Sequence, residues 1–173
     1  DTELHVATYL AREAGRILVV RGDERAQVEQ FRALFLEAVR TRLEPNGQTW
    51  AELSGGLDSS SIVSVAQTLL EKGVIQEGIA GTISIVDELG SGNEQHFSEM
   101  VIERFKLPNT IIANPWPWQN DGRDPPRTDE PRTHYPFYAR DRHECNTVRT
   151  AGGRVLLSGM GSDHYLYGSR LYI

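Results

Sequence analysis

The chain has 173 residues, of which 39% are hydrophobic and 24% are charged, a composition typical of a globular protein with one core. Its 24 acidic residues outnumber 18 basic ones, and the net charge of −6 disfavours binding to the phosphate backbone of a nucleic acid. The sequence has no apolar run long enough for a membrane helix, no signal-peptide pattern and one cysteine, Cys145, which excludes an internal disulfide and a multi-cysteine metal site.

The N-terminal part of the chain changes character near residue 24. Residues 1–24 have a weak apolar pattern, so we expect an N-terminal extension or the remnant of a preceding domain. Residues 25–43 carry apolar side chains at three- and four-residue spacing, which predicts a helix with Asp23 as its N-cap. A short strand over residues 49–53 then enters a turn rich in glycine and serine, and the helix after that turn ends at Gly73.

Strands and helices alternate in the rest of the chain. Six of the eight prolines lie in residues 114–136, which predicts a long surface loop. The alternation predicts an α/β fold for residues 25–173, with a mainly parallel sheet and helices on both faces. The elements predicted after Gly73 lie at residues 79–86, 94–105, 110–113, 137–151 and 154–157.

The strongest chemical signal is the turn between the first strand and its helix, which reads Ser54-Gly55-Gly56-Leu57-Asp58-Ser59-Ser60. Two glycines allow close approach of the backbone, and the helix that follows points its free N–H groups at the turn. Together with the serine hydroxyls, they form a nest for phosphate or pyrophosphate. The string matches neither the Walker A pattern nor G-x-G-x-x-G.

Asp58 is unexpected beside a phosphate nest, because a carboxylate repels phosphate unless a cation lies between them. Mg²⁺ meets this requirement, since it binds one or two carboxylates together with phosphate oxygens. A purely structural capping turn explains a generic Gly-Gly pair, but it explains the full seven-residue string less well than a nucleotide site does.

The string from Leu53 to Ser60 resembles the pyrophosphate loop of the ATP pyrophosphatase superfamily, and in particular that of glutamine-dependent asparagine synthetases. A second string, from Leu157 to Asp163, resembles the leucine-serine-glycine-x-glycine-x-aspartate loop of the same family. The resemblance covers roughly residues 31–172. It implies a Rossmann-like fold of the adenine nucleotide alpha hydrolase type and an ATP-dependent carbon–nitrogen ligase.

The resemblance also implies a magnesium site and a set of phosphate contacts. Asp58 and Asp163 would be the catalytic carboxylates and would hold Mg²⁺ between them. The β- and γ-phosphates of ATP would be bound by Ser54, Gly55, Gly56, Asp58, Ser59 and Ser60.

An adenosine site follows from the same resemblance. Leu53 and Ile85, at two strand ends, would flank the adenosine, and Ser158 and Gly159 would contact it. In the family chemistry, a substrate carboxylate attacks the α-phosphorus of ATP and pyrophosphate leaves. The acyl-adenylate then reacts with ammonia or an amine to give an amide and AMP.

Several positions depart from the asparagine synthetase pattern. Met160 and His164 stand where asparagine synthetases usually have glutamates, and a methionine can neither act as a base nor carry a charge. The looser motif also resembles β-lactam synthetases and lasso-peptide macrolactam synthetases, and a nucleotide-binding module without catalysis is a further alternative. An enzyme acting on RNA is disfavoured by the single cysteine and the acidic charge.

The chain ends also bear on the predicted partners. Residue 1 is Asp1, whereas the family's glutaminase half begins with cysteine, and the chain stops before the family's catalytic lysine. We therefore expect a cytoplasmic synthetase domain that is truncated at its C-terminus. Its partners would be ATP, a carboxylate substrate, an amine or ammonia donor, and a separate glutaminase or remaining synthetase segment, with no membrane and no nucleic acid.

Two further features receive structural interpretations. His134, Asp141, His143 and Glu144 could form a metal site, but exposed polar groups are the favoured interpretation. Cys145 lies in a predicted helix without a nearby base, so we expect buried packing for its side chain.

Overall fold

The computed structural model describes residues 23–44, 46–86, 94–113 and 138–162. Predictions for residues 1–22, the proline-rich loop, His134, Asp163 and His164 lie outside the described residues. The chain divides into two compact units, Asp1–Leu34 and Phe35–Ile173. The elements are α1 (Glu24–Arg40), β1 (Thr49–Glu52), α2 (Leu57–Glu71), β2 (Gly81–Val86), α3 (Gln95–Phe105), β3 (Asn109–Ala113), α4 (Tyr138–Thr150) and β4 (Val155–Leu157).

The four strands form one parallel sheet in the order β3-β2-β1-β4. The predicted α/β fold with a parallel sheet is therefore confirmed. Because β2 and β4 flank β1 on opposite sides, the direction of sheet growth reverses beside β1. Open α/β sheets bind their ligands beyond the carboxyl ends of the strands at such a reversal.

Side-chain alternation along β1 divides the hydrophobic core between the two faces of the sheet. Ala51 and Leu53 face a cluster that includes Val39, Val63 and Ala66 from the first two helices. The opposite face of the sheet carries a second cluster, which contains Trp50, Ile83, Ile112 and Val148. Helices therefore cover both faces, as predicted.

Trp50 sets the packing of the second face. A Cβ atom added to Gly81 would lie 2.7 Å from the Trp50 ring, and one added to Gly153 would lie 2.6 Å from it. These two positions therefore have no room for a side chain, and the indole fills the space between β2 and the turn that precedes β4.

Helix boundaries follow local capping. The N–H of Arg25 donates to Oδ1 of Asp23 at 3.2 Å, which confirms Asp23 as the cap of α1. The helix ends at Arg40, three residues before the predicted end, because the Arg42 N–H turns to the carbonyl of Val39 at 3.0 Å.

No helix among the described residues is long and apolar enough to cross a membrane.

Two predictions for residues of α4 were wrong. Cys145, expected to be buried, is exposed, and Glu144, expected to be exposed, is only 3% exposed. The reason is helical spacing: Glu144 and Val148 lie four residues apart on the stripe that faces the sheet, and Cys145 is turned away from it. In the part of the chain that the structure describes, no group of three or more histidine, cysteine or acidic residues could hold a metal ion.

Candidate functional site

Two loops leave the carboxyl ends of the adjacent strands β1 and β4. We call residues 54–60 the first loop and residues 158–162 the second loop. Ala51 pairs with Leu157, so Glu52 and Ser158 are the next neighbours in register. The Ser158 hydroxyl donates to Oε2 of Glu52 at 2.5 Å. The structure thus brings the two sequence motifs together at the point where the sheet reverses its direction of growth.

The first loop turns at Gly55, whose φ of +97° lies in the region that favours glycine. A Cβ atom at this position would also overlap the backbone carbonyl oxygen of Glu94 at the start of α3. The glycine is therefore required both by the backbone conformation and by the close approach of a second element.

A serine network stabilises the first loop. The Ser59 hydroxyl accepts a hydrogen bond from the Ser54 N–H at 3.2 Å and lies 3.0 Å from the Ser54 hydroxyl. The Ser54 hydroxyl in turn accepts a hydrogen bond from the Gly56 N–H at 3.2 Å. Since Ser59 is buried, these bonds fix the turn from within, and Ser59 acts as a support beneath the loop.

The start of α2 carries groups that suit an anion. Gly56 is the N-cap and provides no side-chain hydrogen bond, so in the described part of the chain no side chain caps the first-turn N–H groups. The Ser60 hydroxyl is buried and has no hydrogen-bond partner among the described residues. A buried hydroxyl without a partner is unfavourable, and an anion bound in the loop would provide an acceptor. Asp58 is half-buried in the same helical turn.

The second loop is held by its own hydrogen bonds and packs on the first turn of α2. The Met160 N–H donates to the Ser158 hydroxyl at 3.1 Å, and the Ser162 hydroxyl donates to the Gly159 carbonyl at 2.8 Å. A Cβ atom on Gly159 would lie 3.0 Å from the Cβ of Asp58. Sequence reasoning assigned Gly159 to an adenosine contact and missed this role as a spacer between the loops.

The two predicted adenosine-flanking side chains lie in different clusters. Leu53 is fully buried in the first cluster, and its carbonyl accepts a hydrogen bond from the Ser84 hydroxyl at 2.8 Å. Ile85 is half-buried against the second cluster. A nucleotide that touches both residues would therefore meet the backbone of Leu53 rather than its side chain.

The sequence profile of asparagine synthase matches residues 30–173, which include both loops. The chain belongs to the asparagine synthase family. Membership in this family supports an ATP-using synthetase domain and agrees with the resemblance found in the two motifs.

The chain is also similar to a protein of known structure. The NH3-dependent NAD synthetase from Campylobacter jejuni subsp. jejuni NCTC 11168, in complex with the nitrate ion, is 15% identical over 53% of this chain, with a TM-score of 0.32. The chain covers 37% of that protein's chain. No curated protein matches the sequence.

Beside its two loops, the asparagine synthase domain carries a group of acidic residues, of which sequence reasoning named Asp141 and Glu144 and missed Glu52. Burial, together with the negative charges of Glu52 and Asp141, raises the pKa of Glu144 to about 7, and the positive charge of Arg140 opposes this rise. The Oε1 atom of Glu144 has no hydrogen-bond partner among the described residues. Glu52 could have been found from the alternation of side chains along β1: it follows Trp50 by two residues, so both side chains lie on the same face of the strand.

Proposed function

We propose that this domain belongs to an amide-forming ligase that activates a carboxylate with ATP. In this proposal the carboxylate attacks the α-phosphorus, pyrophosphate leaves, and ammonia or an amine converts the acyl-adenylate into an amide and AMP. The contact of Gly159 with Asp58 carries the proposal, since it joins the two nucleotide motifs at one edge of the sheet.

Phosphate binding is assigned to the first loop. The N–H groups at the start of α2, which no described side chain caps, present partial positive charge, which suits the β- and γ-phosphates. Ser60 contributes a hydroxyl that has no partner among the described residues, and Ser54 contributes a second, exposed hydroxyl. These groups stabilise the negative charge that builds up on pyrophosphate as it departs.

The residues at the site fit the Mg²⁺ that the family implies. Asp58 stands in the turn that carries the phosphate nest, and a carboxylate there needs a cation between itself and the phosphates. Asp58 would hold the ion, together with Asp163 as the second proposed ligand. When bound, Mg²⁺ neutralises negative charge on the phosphates.

Adenosine is assigned to the region between the carboxyl ends of β2 and β4. Ser158 and Gly159 start the second loop there, and the Leu53 backbone and Ile85 lie on the neighbouring strands. Fixed positions for the base and for the phosphates leave the α-phosphorus exposed to the attacking carboxylate. Catalysis of this kind depends on positioning, because in-line transfer needs few covalent contributions from the protein.

The Asp58→Asn variant tests the proposal. In the full protein that carries this domain, with its carboxylate substrate, ATP–pyrophosphate exchange should fall at least a hundredfold, since the loop would lose its only carboxylate. The control is Asp23→Asn, because asparagine also caps helices well and Asp23 caps α1. Exchange at the wild-type rate in Asp58→Asn would refute the proposed role.

Met160 favours a second candidate, a nucleotide-binding module that does not catalyse. Its side chain is 80% exposed on the second loop and has no group that transfers a proton. Formation of AMP by the complete protein would exclude this candidate. If AMP does form, a panel of carboxylates with ammonia or amines would separate asparagine formation from lactam or macrolactam formation. Ammonia supplied by a separate glutaminase belongs to the same proposal.

A further inference from the structure

A short hydrogen bond links the ends of the two strands that carry the nucleotide motifs. The Ser158 hydroxyl donates to Oε2 of Glu52 at 2.5 Å and accepts a hydrogen bond from the Met160 N–H at 3.1 Å. Through these two bonds, Glu52 holds the Ser158 side chain, and Ser158 holds the turn that follows it.

A second carboxyl group, that of Glu144 on α4, interacts electrostatically with Glu52. Glu144 is 3% exposed, and its Oε1 atom has no hydrogen-bond partner among the described residues. Glu52 on β1 and Asp141 on α4 place negative charge near it. Arg140 is the opposing positive charge, and its Nη2 atom lies 2.9 Å from the Asp141 carboxylate. Burial and these charges favour the neutral, protonated form of Glu144.

Neutral and ionised Glu144 have opposite effects on Glu52. When Glu144 is neutral, it adds no negative charge beside Glu52, and the Glu52 carboxylate accepts the hydrogen bond from Ser158. When Glu144 loses its proton, its buried carboxylate and that of the half-buried Glu52 repel each other, and movement of Glu52 or entry of water relieves the repulsion. Either change weakens the bond that holds Ser158.

We infer that Glu52 and Glu144 form a pair of positioning residues that fixes the second loop in its nucleotide-binding geometry. The inference rests on the proposed function only in naming ATP as the ligand of that loop. Neither glutamate needs to touch the reacting atoms, since both act through Ser158.

Amide hydrogen exchange tests the pair without any nucleotide. The amides of Met160 and Ser162 report on the second loop, because both donate to atoms within it. In the wild-type chain, their protection, corrected for intrinsic exchange, should fall several-fold from pH 6 to pH 8. Glu144→Gln should keep the protection at both pH values, because its amide cannot ionise. The exposed Glu103 provides the control variant, Glu103→Gln, which should behave as wild type.

Because Glu144→Gln changes a buried residue and could disturb folding, two further variants change residues that are exposed or half-buried. Ser158→Ala removes the donor, and Glu52→Gln removes the charge of the acceptor. Both should show low protection of the Met160 amide at pH 6 and at pH 8. Wild-type protection that does not change with pH, or a Glu144→Gln variant that follows the wild-type profile, would overturn the inference.

Calorimetry with Mg·ATP separates this inference from the proposed function. Wild-type affinity should fall several-fold from pH 6 to pH 8, and the fall should be absent in Glu144→Gln. If the wild type binds no Mg·ATP at either pH, the proposed function fails, while the exchange data still decide whether the glutamates hold the loop. If Mg·ATP binds with the same pH profile in both proteins, the positioning role toward the nucleotide fails.

Discussion

Gly159 lies against the first turn of α2, so that a Cβ atom on it would stand 3.0 Å from the Cβ of Asp58 and 3.1 Å from the Ser59 nitrogen. Such distances are tighter than ordinary van der Waals contact, and the backbone nitrogen cannot move without shifting the helix start. The separation of the two loops is therefore set by the absence of a side chain at one position.

Replacing Gly159 with alanine should push the second loop away from Asp58. We expect Mg·ATP affinity to fall at least tenfold, because small displacements of binding groups carry large penalties. Gly152→Ala is the control: its φ of +84° makes alanine strained, but no atom of the described residues lies within 4 Å of the added carbon. That variant should lose about 1 kcal/mol of stability and keep its affinity. Equal affinities in the two variants would contradict the prediction.

Gly55 and Gly73 allow backbone strain to be separated from overlap. Both have positive φ, +97° and +68°, but only Gly55 has a neighbouring element, the Glu94 carbonyl, where a Cβ would stand. Gly73→Ala should lower the free energy of unfolding by about 1–2 kcal/mol. Gly55→Ala should lower the free energy of unfolding by roughly 1–3 kcal/mol more than Gly73→Ala does, because α3 must also shift. Urea denaturation measures both, and an equal loss would show that α3 moves without penalty.

Ser59 and Ser60 are adjacent serines with opposite expected effects. Ser59→Ala removes the hydroxyl that bonds to Ser54 and should lower the free energy of unfolding by about 1–3 kcal/mol. Ser60→Ala removes a buried hydroxyl without a partner among the described residues, so stability should be unchanged or slightly higher.

Affinity for Mg·ATP should separate the same two variants in the other direction. Ser60→Ala should weaken binding several-fold, because a phosphate donor is lost while the fold is intact. Thermal denaturation and calorimetry on one preparation of each protein measure both quantities. A Ser60→Ala variant that is destabilised and binds ATP normally would mean that the hydroxyl serves the fold.

The order of elements and the two nucleotide motifs could be predicted from the sequence because both are local signals. Apolar spacing predicted α1, and the cap at Asp23 is read from a single residue. The first loop was recognisable because glycines and serines at a strand-to-helix junction have a specific chemical meaning. Each of these inferences needs only neighbouring residues.

The burial of Glu144 could not be predicted, because α4 has no apolar stripe that identifies its inner face. Its sequence contains one large aliphatic residue, Val148, which enters the core. Glu144 lies four residues before Val148, so it faces the sheet although its side chain is polar. The contact of Gly159 with Asp58 was equally hidden, since it depends on the register of β1 and β4.

Glu144 should make the stability of the chain depend on pH. Its folded-state pKa of about 7 exceeds the ordinary value of 4.5, so the folded state binds more protons than the unfolded state between these values. Stability should therefore fall as pH rises from 4.5 through about 7, by an amount on the order of 1–3 kcal/mol. Glu144→Gln should remove this slope, and Glu103→Gln should retain it, in thermal denaturation at pH 5, 6, 7 and 8. A Glu144→Gln variant with the wild-type slope would show that another group titrates.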